Sequence, residues 1–174
     1  MAQLNDINFM LEKKSILITG GSGLLAVNWA LSMRDNYAVT LLLHHKKISL
    51  LGVDTEIVSL DSLDECLSVL VKYQPDIVIH TAGLTNVEEC ESNPNLAQIV
   101  NVDLAKNIAI ACSNQGVKLV HISTDHLFLG DQEFSTEESV TNPVNNYAKS
   151  KLLGEQQVLE NCKDALVIRT NFFG

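Results

Sequence analysis

The chain predicts an α/β fold, a doubly wound parallel sheet of six strands, and three observations carry that prediction. Short apolar runs recur along the chain with helix-length segments between them, the sequence form of strands buried on both faces and joined by crossover helices. The first run passes directly into a glycine-rich turn, "TGGSG". Residues able to do chemistry gather just after the apolar runs, where sheets of this class bind ligands at the carboxyl ends of their strands.

The elements follow in order. "SILIT" (15–19) is the first strand and a helical stretch near 23–34 comes after it; "AVTLLL" (38–43) is the second strand, followed by a short connection through Lys46 to Gly52. "TEIVSL" (55–60) is the third, and a helix near 62–73 carries Leu63, Leu67, Leu70 and Val71 at helical spacing. Pro75 suits a helix stop ahead of "DIVIHT" (76–81), the fourth strand. A long helix should run from about Pro94, suited to a first turn, to Gln115, with Gly116 at its end. "VKLVHIST" (117–124) is the fifth strand, and an irregular stretch (125–142) leads to a helix holding Tyr147. "ALVIRT" (165–170) is the sixth, and six such strands fit the order 3-2-1-4-5-6.

With 174 residues, 46% of them hydrophobic and 19% charged, the chain reads as one domain, 1–174, with 1–14 as an exposed lead-in. A net charge of −9 and only two arginines, Arg34 and Arg169, argue against a nucleic-acid partner, because phosphate backbones demand clustered cations. Cys66, Cys90, Cys112 and Cys162 show no metal-ligand spacing and fit free thiols in a reducing cytoplasm. The opening segment lacks the features of a signal peptide, and no apolar run reaches the length of a membrane span, so neither secretion nor a membrane partner is expected.

The glycine turn supplies the first candidate site. Gly20 and Gly23 let the chain turn tightly and present backbone N–H groups to a phosphate at a helix N-terminus; Ser22, Leu24 and Leu25 belong to the same turn, and Ala26 holds the third small position. A plain structural turn is the competing reading. After the second strand an NAD site usually offers an acid for the ribose 2′-hydroxyl, but here the chain reads "HHKK", so NADP is slightly preferred over NAD. Asp61, with Ser62 beside it, follows the third strand and either accepts from an adenine amino group or caps the next helix. Ala82, Gly83 and Leu84 follow the fourth strand, where small side chains let backbone approach a ligand. The acidic run Glu88, Glu89 and Glu91 reads as a solvated face, and Asn101 either as a polar anchor near Lys151 or as a satisfied core amide.

The stretches "TGGSGLLA", "HTAGLTNVEECE", "NVDLAKN", "STDHLFLG", "NPVNNYAKSKLLGE" and "IRTNFFG" together resemble the extended short-chain dehydrogenase/reductases, and within them the dTDP-4-dehydrorhamnose reductase group, from about Ser15 onward. The resemblance implies a Rossmann fold and a nucleotide-sugar substrate. It implies catalytic roles for Thr124, Tyr147 and Lys151, and places Asp125 beside Thr124 at the substrate. Similar proteins form dimers, and the apolar circumference of the long helix would offer a homodimer face. His126 and Leu127 depart from the Tyr-Val common there, Ala148 stands where glycine is common, and the family pattern continues past Gly174 into a region that shapes the sugar-nucleotide pocket. The chain is therefore expected to be the cofactor-binding part of a longer enzyme lacking its C-terminal substrate region, or a module that works without that half.

Tyr147 and Lys151 lie four apart, on one face of a helix, so a phenol and an ammonium can address one ligand; an exposed surface pair is the competing reading. The ammonium is expected to lower the phenol's pKa from about 10. Tyr147 would then protonate a carbonyl oxygen polarised by Thr124, and the resemblance implies that Lys151 also holds the nicotinamide ribose. The leading expectation is reduction of the 4-keto group of a deoxysugar nucleotide. Two alternatives stand beside it: an epimerase or dehydratase that retains NAD, and a non-catalytic nucleotide-binding or regulatory module.

Overall fold

The computed structural model describes residues 13–130 and 135–171; most of the lead-in and the final "FFG" lie outside them. The elements run β1 (Ser15–Thr19), α1 (Leu24–Met33), β2 (Ala38–Leu43), β3 (Asp54–Ile57), α2 (Leu63–Tyr73), β4 (Ile77–His80), α3 (Val87–Ser92), α4 (Pro94–Ala97), α5 (Leu104–Gln115), β5 (Lys118–Thr124), α6 (Asn146–Asn161) and β6 (Leu166–Thr170). A π-helical segment, Gln98–Asp103, joins α4 to α5, and a 3-10 turn, Asp125–Leu127, follows β5. All strands pair in parallel in the order β3-β2-β1-β4-β5-β6, as expected, so the topology reverses between β1 and β4.

Alternating side chains of the strands feed two cores. Leu17, Val78 and Leu119 pack under α2, α5 and α6 with Leu70, Ile108, Ala109 and Val158, while Ile16, Ile18, Leu41 and Ile79 pack against Ala26 and Ala30 of α1 on the other face. Helix α5 lies between α2 and α6. The apolar side of α5 is thus largely covered within the chain, while Ile99 of the π-helical segment stays exposed. No helix among the described residues is long and apolar enough to cross a membrane.

Three expectations change in detail. The third strand ends at Ile57, three residues early, although Val58 still donates to the Leu43 carbonyl at 3.0 Å. The long helix breaks into α4, the π-helical segment and α5. The acidic run forms α3, capped by the Asn86 side chain, and its Glu91 is more than a solvated charge: it accepts from the Asn146 backbone N–H at 2.6 Å and from Asn146 Nδ2 at 2.9 Å, fixing the start of α6.

Candidate functional site

A cleft of about 1010 Å³ opens at the carboxyl ends of the strands, across the β1/β4 switch. At one end is the glycine turn. Gly20 has φ +66°, and a Cβ there would meet Ala82 N at 2.7 Å and Ala82 Cα at 2.8 Å, so backbone crosses backbone at this point and glycine is required. Gly23 precedes α1 without any side-chain cap, and the first-turn residues Leu24 and Leu25 face the cleft with Ser22. Uncapped N–H groups and the helix dipole suit a phosphate. Ala26, fully buried, gives α1 its close seat on the sheet.

At the other end, β5 delivers Thr124 and α6 delivers Tyr147 and Lys151 to the same cleft. Asn145 starts α6 by accepting from Ala148 N at 2.8 Å. Thr124 Oγ1 accepts from His126 N at 3.2 Å, which leaves its own proton free to donate, and Tyr147 lines the same cleft. Burial raises the Tyr147 phenol above its ordinary pKa, opposed by the Thr124 hydroxyl. The net shift is upward, whereas the sequence expectation had Lys151 lowering it. Lys151 Nζ turns onto the Ile122 carbonyl of β5 at 2.6 Å, and burial pushes the ammonium down to about 8 against the opposing charge of Glu155.

The other expected residues divide. Asp61, Ala82 and Gly83 line the cleft. Ser62, not Asp61, caps α2: it accepts from Glu65 N at 3.3 Å while Glu65 accepts from Ser62 N at 2.9 Å, so the capping reading of Asp61 falls and Ser62 is committed to the helix. Leu84 faces away, packed with Cys90, Ala97 and Tyr147. Its backbone is clamped by Asn101, whose Oδ1 accepts from Leu84 N at 2.8 Å and whose Nδ2 donates to Leu84 O and Ser150 Oγ; Asn101 is therefore a satisfied core amide. Asp125 lies beside the cleft wall, lining a second cleft of about 900 Å³ that shares His126 with the first. Of the "HHKK" run only His44 reaches the main cleft.

Sequence reasoning missed Ile99, Asp103 and His126 as cleft residues. The first two sit on the π-helical segment, which turns them out of α-helical register. His126 was marked as a departure from the resemblance; its ring stands edge-on to Tyr147, centroids 5.8 Å apart.

The family described as "RmlD substrate binding domain" matches residues 14–173. The chain is 38% identical over 102 residues to a dTDP-4-dehydrorhamnose reductase of Salmonella typhimurium, covering 58% of this chain and 34% of that one. It is 31% identical over 169 residues to methionine adenosyltransferase 2 subunit beta of Rattus norvegicus, covering 96% and 49%. The solved structure of a dTDP-4-dehydrorhamnose reductase from Bacillus anthracis in complex with NADP superposes with a TM-score of 0.78 at 28% identity, covering 90% of this chain and 53% of that one. The chain spans half or less of the length of these two curated relatives.

Proposed function

Because the chain belongs to the RmlD substrate-binding-domain family, we propose that it is the cofactor-binding part of an NAD(P)H-dependent reductase acting on the 4-keto group of a deoxysugar nucleotide. The observation that carries the reading is the meeting of Thr124, Tyr147 and Lys151 with the glycine turn on one cleft. The cleft fits a dinucleotide: a turn without Cβ at Gly20, an uncapped helix start at Leu24 and Leu25, and small residues at Ala82 and Gly83. Such a cofactor supplies hydride when bound. No acid follows β2, and His44 faces the cleft, so both NADP and NAD are accommodated, with NADP preferred. The four buried free thiols suit a reducing cytoplasm.

In this reading Thr124 donates to the substrate carbonyl oxygen and Tyr147 delivers its phenolic proton to the same atom. Burial that raises the Tyr147 pKa keeps that proton in place until the oxygen acquires charge. Lys151, an ammonium near neutrality, stabilises the phenolate left behind and holds the ribose. Asp125 addresses substrate hydroxyls from the adjoining wall.

The test is titration with NADPH and NADH, followed by loss of nicotinamide absorbance with a dTDP-4-keto-6-deoxysugar, on this chain and on one extended to the length of the relatives. Binding of neither cofactor sinks the proposal. The likeness to methionine adenosyltransferase 2 subunit beta over most of the chain favours a second reading, a nucleotide-binding subunit without turnover. Cofactor binding with no reduction of any 4-keto sugar nucleotide by the extended chain would select it.

A further inference from the structure

A polar layer lies between α6 and the sheet, directly beneath Lys151. Lys151 and Glu155 stand four apart on α6, on one face of the helix, and both are buried, 6% and 2% exposed. Arg169 on β6, in register with Ser123 of β5, donates to Glu155 through Nε at 3.1 Å and Nη2 at 2.8 Å. The same guanidinium donates to the Glu137 carbonyl at 3.3 Å and lies over the Phe128 ring. Arg169 thus clamps Glu155 at the inner face of α6 and ties the loop that borders the catalytic end to the same carboxylate.

The groups facing Lys151 can be named element by element. Tyr147 precedes it by one turn on α6, and Asn101 and Ser150 beside it are uncharged. His80 of β4 and His121 of β5, both buried and stacked at 5.3 Å, are held neutral by burial and by Lys151's own charge. Asp103 lines the cleft with Lys151 but does not shift it. Glu155 is the carboxylate that does, acting against burial.

We propose that Glu155, locked by Arg169, is a positioning residue that keeps Lys151 in its ammonium form inside the dry layer beneath the cleft. The inference gives a mechanism to the role assigned to Lys151 under the proposed function, but its test needs neither cofactor nor turnover. The pair is asymmetric. Glu155 is nearly fully buried, whereas the Arg169 side chain keeps 23% exposure, so solvent screens the cation more than the anion and a net negative field reaches Lys151.

The experiment is an NMR titration of the 174-residue chain with carbon-13 labelled lysine, the Lys151 resonance being assigned by its loss in Lys151→Arg. Wild type should titrate near 8. Glu155→Gln should lower that midpoint by about one unit, a tenfold fall in the ammonium-to-amine ratio. Arg169→Gln should move it upward, because the carboxylate loses its competing cation. A purely structural clamp predicts no opposed shifts. Should Glu155→Gln fail to fold, the double variant Glu155→Gln/Arg169→Gln removes both charges together and should also titrate below wild type. An unchanged midpoint in whichever of these folds, or shifts of one sign in both single variants, overturns the inference. Failure of the NADPH titration alone would strike the proposed function and leave this result standing.

Discussion

Acidification from about pH 7 to about pH 5 is expected to destabilise the fold through His80, and the size of the effect follows from its surroundings. His80 ends β4 at 1% exposure, shares a 2.7 Å hydrogen bond through Nδ1 with Thr19 Oγ1, and stacks on His121. Burial first, and the Lys151 charge second, hold its pKa at about 3 against an ordinary 6.5. Above 6.5 neither the folded nor the unfolded chain protonates this group, so it contributes nothing to the pH dependence. Between 6.5 and 3 the unfolded chain takes up a proton that the folded chain refuses, and stability falls by about 1.4 kcal/mol per pH unit. At about pH 5 the loss from His80 is therefore about 2 kcal/mol, a sizeable part of the roughly 5–15 kcal/mol that stabilises a typical domain. His121 is held down in the same direction and adds to it. The assay is urea unfolding of wild type and His80→Asn at both pH values. The variant's packing loss is present at both and cancels in the difference, as do the carboxylates. Wild type should lose about 2 kcal/mol more than the variant on acidification. Equal losses, within about 0.5 kcal/mol, would refute the argument that His80 is neutral because it is dry.

Three further perturbations follow from the geometry. Gly154→Ala in α6 should destabilise the protein by about 1–3 kcal/mol, because its Cβ would collide with the Asn101 carbonyl, which is backbone and cannot rotate away; thermal melting beside the exposed control Gln156→Ala checks it, and an unchanged or raised midpoint contradicts it. Gly20→Ala meets both a φ of +66° and the Ala82 backbone, so it should cost about 1–3 kcal/mol and weaken NADPH binding as measured by titration. Tyr147→Phe should lower turnover in the extended chain by about 10²–10⁴-fold while NADPH affinity stays near wild type, since the phenol oxygen is lost but the buried ring still fills its place beside Cys90 and Ala97.

The strand order was legible because five of the six strands carry short apolar runs, only the edge strand β3 being largely polar, and several breaks carry a marker with a mechanism. Gln74 ends α2 in the left-handed region and Pro75 follows it; Asn145 caps α6, and Gly116 closes α5. That Tyr147 and Lys151 share a helix and a cleft, and that a tight glycine turn follows β1, were legible because both depend on local spacing. The π-helical segment was not, since periodicity assumes a constant turn angle and one widened turn shifts Ile99 and Asp103 onto the cleft. Nor could sequence choose between Asp61 and Ser62 as the cap of α2: both residue types cap well, and only the reciprocal bonds with Glu65 decide for Ser62. The turning of Lys151 onto the Ile122 carbonyl was hidden for another reason. It joins residues 29 apart in sequence, and no local pattern reports such a contact.

What joins these observations is the point along the strands where the core stops being apolar. Val78 and Leu119 face one another in register on the α6 side of the sheet, and the next row on that face pairs His80 with His121. Beyond it come Ser123 and Arg169, answered from α6 by Lys151 and Glu155. Burying such a set is expensive: a layer of packed aliphatic residues of the same volume would be as stable or more so. Among the described residues His80 Nε2, both ring nitrogens of His121 and Ser123 Oγ find no protein partner, which enlarges the desolvation penalty. The layer does for the cleft what an aliphatic one could not, since it surrounds a buried ammonium with neutral rings and one anchored carboxylate. The switch from "IV" to "IH" in β4 and from "LV" to "HI" in β5 thus marks, on adjacent strands, the row at which the chain gives up stability to hold Lys151 charged.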